Sequence, residues 1–313
     1  MELAFIILGL IGLVVGAELI IKGALAFADH YKLSNAFVGL TILAVGTDLP
    51  ELFIVLTGSL YTLGGVEMSD LVIGEIIGSA MAQITIVLGL LGILGLISTQ
   101  KKRIIRDGVM MLFSVLIVFL AGFDGTIDFV EGVVMVLVYV LYVWGLYKGE
   151  KVNKTFRLPK NISLIWASFY LFGGFIVLLF FSNITLDNAI LLSTRFNIPQ
   201  YIVGFLVVGL GTSLPELVTS LIAIRKKAVG MAIGNLFGSN ILDVLCIVGI
   251  GATIADFSIH PSIIQFDIPF LFVVSLFVIL LFLKTKKLSR KGSVTLVLIY
   301  VLFFVLKLSA ATL

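Results

Sequence analysis

The motif VGTDLPEL at residues 45–52 recurs as LGTSLPEL at residues 210–217. A second motif follows each copy: IGEIIGS at 73–79 matches IGNLFGS at 233–239. The copies of the first motif are 165 residues apart and those of the second are 160 apart. The difference falls in the connecting loop, where length changes are tolerated. Two copies of the same pair of motifs indicate an internal duplication.

The composition of the chain is that of a membrane protein. Of its 313 residues, 60% are apolar and 12% are charged, whereas soluble domains have about 45–50% and about 25%. Apolar stretches long enough to cross a hydrocarbon core of about 30 Å recur from Met1 to Leu313. The sequence therefore predicts an all-α integral membrane protein that forms one membrane domain and has lipid around it.

Breaks in hydropathy predict ten transmembrane helices. They lie near residues 2–28, 35–62, 70–98, 104–121, 126–147, 163–193, 199–223, 229–255, 262–283 and 293–310. The motif pair falls on the second and third helix of each set of five. Because five is odd, the second copy must enter the membrane from the opposite side. We therefore predict two inverted-topology five-helix repeats, 1–147 and 163–313, joined by a short basic cytoplasmic linker at 148–162.

Basic residues predict the orientation. Alternate loops hold 18 of the 21 lysines and arginines, and the intervening loops instead carry acidic residues such as Glu67, Asp124 and Asp256. By the positive-inside rule the basic loops are cytoplasmic, so we expect a multi-pass protein of the cell membrane with both termini extracellular. The net charge of +3 is thus a topological signal, and no nucleic-acid partner is predicted.

The first motif places a carboxylate, Glu51 or Glu216, near the middle of an apolar helix. A carboxylate there costs about 2.5–3.5 kcal/mol on insertion scales, so it must face protein, water or a cation. Pro50 and Pro215 each lack an amide hydrogen and interrupt the helical hydrogen bonds, which predicts a broken helix. Irregular backbone at membrane depth is tolerated only where it is buried or lines a cavity. The motif thus supplies carbonyl, hydroxyl and carboxylate oxygens, which are ligands for hard cations.

The second motif forms a polar stripe, because residues spaced by four share a helix face. Its two copies are Glu75, Ser79 and Gln83, and Asn235, Ser239 and Asp243. A Gly-x-x-x-Gly lies beside each stripe and lets another helix approach closely. Helices 2, 3, 7 and 8, which carry all four motifs, are therefore predicted to form a central ion-binding core.

The types of ligand narrow the choice of ion. Calcium accepts six to eight oxygens in flexible geometry, whereas magnesium requires a strict octahedron. Two glutamates from opposite halves can neutralise one divalent ion, and small monovalent ions can use the same oxygens. The two histidines, His30 and His260, lie near loops, and no thiol accompanies the carboxylates, which disfavours zinc, copper and iron. If the site opens alternately to the two sides of the membrane, competition between sodium and calcium for these oxygens results in exchange of the two ions.

At these motifs the chain resembles the sodium/calcium exchanger branch of the calcium/cation antiporter superfamily, in its short prokaryotic and archaeal form. That branch carries G-T-S-x-P-E and G-N-x-x-G-S-N-x-x-[ND] in both repeats. The resemblance implies electrogenic exchange of sodium for calcium, no enzymatic activity and no cofactor beyond the transported ions. It also implies a set of ion ligands or lining residues with two backbone carbonyls nearby. These are Thr47, Glu51, Ser79, Thr212, Ser213, Glu216, Ser239 and Asp243, with the carbonyls near Ala44 and Gly209.

Three residues depart from the family pattern. Asp48 stands where the family usually has serine, Glu75 where it has asparagine, and Gln83 where it has asparagine or aspartate. We include all three among the candidate metal ligands. Up to five carboxylates then crowd one region, and like charges raise one another's pKa, so some of them could hold protons.

The coupling ion therefore has alternatives. Proton-coupled or potassium-dependent exchange of calcium or other divalent cations stays open, although the proton-coupled branch typically has G-N-x-x-E in its first motif and this chain does not. A cation channel could use the same oxygens without coupling two ions. The chain has no Ser-His pair or histidine metal motif of an enzyme, and no obligatory protein partner is predicted.

Overall fold

A computed structural model describes residues 2–94, 97, 100–149, 162–195, 209–285 and 287–311. Most of the predicted linker 148–162 and the first ten residues of the predicted seventh helix, 199–208, lie outside this part of the chain.

The described residues are almost entirely helical. The helices are α1 (Glu2–His30), α2 (Asn35–Thr47), α3 (Leu49–Leu63), α4 (Ser69–Leu94), α5 (Lys101–Ala121), α6 (Phe129–Gly149), α7 (Leu164–Arg195), α8 (Gly209–Thr212), α9 (Leu214–Arg225), α10 (Val229–Ala252), α11 (Ile268–Thr285) and α12 (Arg290–Ala311). Short π-helical turns interrupt α2 at Gly39–Leu43, α4 at Gln83–Val87 and α10 at Leu242–Ile247, and another, Ile263–Asp267, leads into α11.

Seven helices in the described part of the chain are long and apolar enough to cross a membrane, or eight if the bent pair α2 and α3 counts as one span. The seven are α1, α4, α5, α6, α7, α10 and the helix Ile263–Lys284 that contains α11. The prediction of an all-helical, multi-pass membrane protein is confirmed. The count of ten stays a prediction: part of the predicted span 199–223 is not described, and the predicted span 293–310 is α12, which is not among the seven.

The predicted helix breaks lie at equivalent residues of the two first motifs. Asp48 separates α2 from α3, which are bent by 49°, and Ser213 separates α8 from α9. The backbone angles agree: φ −84° and ψ 10° at Asp48, and φ −83° and ψ 1° at Ser213. Because proline is tolerated in the first helical turn, α3 and α9 begin just before their prolines. The break is therefore confined to about one residue rather than a longer unwound stretch.

The second copy of Gly-x-x-x-Gly permits a close helix approach, as predicted, and the helix it contacts is α2. A Cβ atom at Gly234 would lie 2.4 Å from the Ala36 carbonyl oxygen, and one at Gly238 would lie 2.7 Å from the backbone of Leu40. On the facing helix, a Cβ at Gly39 would lie 2.2 Å from the Met231 carbonyl oxygen. Only glycine permits this approach, which brings the backbones of α2 and α10 into contact and places the two motifs side by side.

A two-stranded ribbon joins distant loops on one side of the molecule. β1 (Thr126–Ile127) pairs antiparallel with β2 (Phe257–Ser258). The Ser258 hydroxyl donates to Glu67 at 3.2 Å, and the His260 amide donates to Asp70 at 2.9 Å. These contacts attach the start of α4 to the loop that follows α10, so they help to position the two helices that carry the second motif.

Candidate functional site

The two glutamates of the first motifs are fully buried. Glu51 and Glu216 lie in the first turns of α3 and α9, immediately after the breaks, and each has 0% exposure. The Ser79 hydroxyl donates to Oε1 of Glu51 at 3.2 Å. Among the described residues, Oε2 of Glu51 and both carboxylate oxygens of Glu216 have no hydrogen-bond partner. The two carboxylates are close enough to interact electrostatically, and three buried carboxylate oxygens are available to a cation.

The threonines of the first motifs each contact the second motif of the other copy. Thr212 donates to Oε1 of Glu75 at 3.1 Å, and Thr47 approaches Oδ1 of Asn235 at 3.5 Å. Thr212 is equivalent to Thr47, and Glu75 is equivalent to Asn235, in the sequence duplication. The same contact therefore occurs twice. In each case the threonine of one copy's first motif contacts the second motif of the other copy.

A second reciprocal contact joins the residues at the helix breaks to the serines of the second motifs. The Ser239 hydroxyl donates to Oδ1 of Asp48 at 2.6 Å. In the equivalent place, the hydroxyls of Ser79 and Ser213 lie 3.2 Å apart. Each first motif thus lies against the second motif of the other copy.

The centre of this arrangement is the contact between Gln83 and Asp243, which are equivalent to one another in the duplication. Nε2 of Gln83 lies 3.4 Å from Oδ2 of Asp243 and 3.2 Å from the Ser79 hydroxyl. Gln83 was expected to offer an oxygen to the ion, but in this structure it turns its amide nitrogen toward Ser79 and Asp243. Oδ1 of Asp243 has no partner among the described residues.

The unusual acid Asp48 faces the site. It is 1% exposed, its Oδ1 accepts from Ser239, and its Oδ2 has no partner in the described part of the chain. Its carboxylate also lies beside those of Glu216 and Asp243. Glu75 is half-buried, but its second oxygen, Oε2, is inaccessible and has no partner in the same part of the chain.

The structure gives no separate support for the two predicted backbone ligands, the carbonyls near Ala44 and Gly209. The Ala44 carbonyl accepts from the Asp48 amide at 2.9 Å and lies 3.4 Å from the Thr47 hydroxyl. Gly209 is the first residue of α8. Their assignment as ligands stays a prediction.

Sequence reasoning missed Asn240, which is 2% exposed and donates to Oε1 of Gln83 at 2.8 Å. The residue follows Ser239 directly and so lies off the stripe of residues spaced by four. Its position in G-S-N was a signal, because a buried amide in an apolar helix needs hydrogen-bond partners.

The buried polar centre is made of hydroxyl, amide and carboxylate groups. Within the described residues, no group of three histidine, cysteine, aspartate or glutamate side chains could hold a metal ion by itself. The unpartnered carboxylate oxygens lie beside threonine and serine hydroxyls, which are hard donors suited to calcium or sodium. A multi-pass helical protein with such a centre between broken helices belongs to the class of membrane transporters for small cations.

Comparison with known proteins identifies the family within this class. The model of the family described as sodium/calcium exchanger protein matches residues 1–148 and 166–309. The chain therefore belongs to the sodium/calcium exchanger family. The motifs predicted an exchanger family and not an enzyme family.

Individual relatives agree with this assignment. The chain is 30% identical to MJ0091, an uncharacterized membrane protein of Methanocaldococcus jannaschii, over 95% of each chain. It is 27% identical to the sodium/calcium exchanger MaX1 of Methanosarcina acetivorans over 96% of each chain. It also matches a solved structure of the sodium-calcium exchanger NCX_Mj with a TM-score of 0.82 and 28% identity, covering 97% of each chain.

Proposed function

We propose that this chain is a secondary active antiporter that exchanges calcium for sodium across the cell membrane by alternating access. The observation that carries the proposal is the pair Glu51 and Glu216, buried just after the breaks of equivalent helices with three carboxylate oxygens unpartnered among the described residues. Buried carboxylates without hydrogen-bond donors need a cation or a proton to balance their charge. The names of the relatives MaX1 and NCX_Mj point to sodium and calcium as those cations.

The ion ligands in this proposal are the polar residues that converge around the two glutamates. They are Thr47, Asp48, Glu51, Glu75, Ser79, Thr212, Ser213, Glu216, Ser239 and Asp243, with carbonyls near Ala44 and Gly209. Gln83, the remaining predicted ligand, lines the site with its amide nitrogen toward Ser79 and Asp243. Because no three acids among the described residues form a metal site alone, neutral oxygens would complete the shell, as calcium allows. One calcium ion and several sodium ions would compete for the same carboxylates.

The architecture in this proposal is ten transmembrane helices in two inverted repeats. Support comes from the matching breaks at Asp48 and Ser213 and from the two reciprocal contacts between the motif copies. The family match also falls into two blocks, 1–148 and 166–309, close to the predicted repeats 1–147 and 163–313. The motif-bearing helices 2, 3, 7 and 8 would form the core, with 148–162 as a cytoplasmic linker and both termini outside.

The alternative that a specific observation favours is coupling to a further ion. Asp48 and Glu75 add two carboxylates to a site that already holds three, and each has one oxygen that finds no partner in the described part of the chain. Excess negative charge could be balanced by protons or by a potassium ion. Lipid is the expected surrounding of the chain, and no protein partner is needed for the cycle.

Flux into liposomes tests the function. Purified protein in sodium-loaded vesicles is diluted into sodium-free buffer that contains radioactive calcium. We expect calcium uptake that depends on the outward sodium gradient and stops when sodium is equal on both sides. Uptake without any counter-ion gradient would indicate a channel, and uptake driven by a pH gradient but indifferent to sodium would indicate proton coupling. Adding potassium to either side tests the remaining alternative.

A further inference from the structure

The amide of Gln83 is held in one orientation by a chain of hydrogen bonds that begins on a backbone carbonyl. Nδ2 of Asn240 lies 3.0 Å from the Leu236 carbonyl oxygen and 2.8 Å from Oε1 of Gln83. A backbone carbonyl only accepts hydrogen bonds, so the atom of Asn240 beside it must be the nitrogen. That nitrogen is a donor, so the atom of Gln83 facing it must be the oxygen. The NH2 group of Gln83 is thereby directed at Ser79 and Asp243.

The two motif copies differ at the residue that makes this bond. Asn240 corresponds to Ala80 in the duplication, and Gln83 corresponds to Asp243. Asn240 and Ala80 are both buried, but an alanine side chain cannot donate. The central pair therefore contains one amide that is fixed by a neighbour on the facing helix and one carboxylate whose equivalent neighbour on the facing helix, Ala80, cannot donate.

We propose that Asn240 is a positioning residue that fixes Gln83 as a hydrogen-bond donor to Asp243 rather than as an oxygen ligand for the ion. This inference rests on the proposed function, since it concerns the same cation site. A donor directed at a carboxylate partly replaces a cation there, and its polar hydrogens repel a cation that binds beside it. In this orientation Gln83 weakens cation binding at Asp243, and Asn240 holds Gln83 in this orientation. Weak binding favours turnover, because an ion that is exchanged must also be released.

A double-mutant cycle tests the proposal. Asn240→Leu removes the donor with little change in size, Gln83→Leu removes the amide, and the double variant combines them. In proteoliposomes we expect Asn240→Leu to lower the half-saturating sodium concentration for calcium release by about 3- to 10-fold, the effect of about one hydrogen bond. In the Gln83→Leu background, the same substitution should have no further effect, because no amide remains to be oriented.

A structural role for Asn240 would give a different pattern. A shift of similar size in both backgrounds, or no shift in the wild-type background, would overturn the proposal. Asn188→Leu is the matched control, because the Asn188 amide also donates to a carbonyl four residues earlier, that of Ile184 at 2.8 Å, but lies on α7. It should leave the half-saturating concentration unchanged. If Asn240→Leu does not fold, Asn240→Asp keeps the shape and replaces the donor with an acceptor. Comparing the effect of Asn240→Asp in the wild-type and Gln83→Leu backgrounds then removes the contribution of its added charge.

Equilibrium binding separates this inference from the proposed function. Binding of radioactive calcium to the purified wild type and to the three variants does not require transport. If wild-type vesicles show no sodium-dependent calcium flux, the proposed function fails. The binding cycle still decides the role of Asn240: tighter binding in Asn240→Leu that disappears in the Gln83→Leu background supports it, and any other pattern contradicts it.

Discussion

The Ser239 hydroxyl donates to Oδ1 of Asp48 at 2.6 Å, across 191 residues of sequence. In the other copy of the motifs, the equivalent contact joins Ser79 to the neutral hydroxyl of Ser213 at 3.2 Å. One side of the centre thus has a carboxyl group where the other has a hydroxyl group. This asymmetry distinguishes the chain from the usual family motif, which has serine at both positions.

Asp48→Ser should make the two copies alike while preserving exchange. The hydroxyl can still accept from Ser239, but one buried charge is lost. We expect the half-saturating calcium concentration to rise by about tenfold, the effect of about 1.4 kcal/mol, with a changed dependence of the rate on pH or on the competing cation. The measurement is radioactive calcium uptake across a range of calcium, sodium and pH. If none of these dependences moves, Asp48 is not part of the ion site.

Glu51→Gln and Glu216→Gln should each abolish calcium uptake. Each change removes a charge that the ion needs but preserves the shape of the side chain, so the protein should stay folded. Uptake is measured in vesicles, and folding is checked by size-exclusion chromatography and thermal melting. Asp256→Asn, in an exposed loop, is the control and should transport normally. Wild-type uptake by either site variant would refute the assignment of the ion ligands.

Glu75→Asn should be tolerated, because Asn235 already occupies the equivalent place, with its amide oxygen 3.5 Å from the Thr47 hydroxyl. The new amide oxygen can accept from Thr212 in the same way. Glu75→Leu removes the acceptor and should reduce the maximal rate of exchange by about tenfold or more, since Thr212 then loses this hydrogen bond inside the site. Parallel rate measurements on both variants check this. Equal activity of the two would show that the contact between Thr212 and Glu75 has no role in transport.

Gly234→Ala should destabilise the protein, because its Cβ would lie 2.4 Å from the Ala36 carbonyl oxygen. Overpacking of this kind costs about 1–3 kcal/mol. Gly74→Ala is the control, since a Cβ there meets no atom within 4 Å among the described residues. Thermal melting of the purified protein in detergent compares the two. A melting temperature for Gly234→Ala that equals that of the wild type would contradict the close packing of α2 against α10.

The orientation can be tested by labelling single cysteines in a Cys246→Ser background. Glu67→Cys and Lys102→Cys are both in exposed positions, and the predicted orientation places them on opposite sides of the membrane. A membrane-impermeant thiol reagent should label Glu67→Cys in intact cells and Lys102→Cys only after permeabilisation. The reverse labelling pattern would show that the orientation is opposite to the predicted one. The assignment of the ion ligands would not change.

Much of the site could be predicted because polar residues are costly in apolar helices and the duplication repeats them. Glu51, Glu216 and Asp243 are all fully buried in the described structure, as their motifs required. The family and the all-helical membrane fold were also predictable, since hydropathy and motif spacing are local properties. The count of ten helices and the inverted repeat stay predictions that the reciprocal contacts support.

Other features depend on contacts that no local pattern contains. The break at Asp48 is narrower than proline and glycine alone suggested, because α3 restarts within the first turn that proline tolerates. The orientation of the Gln83 amide depends on Asn240, which is 157 residues away in sequence.

By itself, the sequence determined that this chain is a duplicated helical membrane protein with carboxylates at membrane depth, because the energy of burying charge in hydrocarbon acts on each segment separately. Only the tertiary structure decided which oxygens are left without donors and which way each amide faces. Those properties are set by the short distances between side chains from different helices, and such distances exist only after the helices have packed.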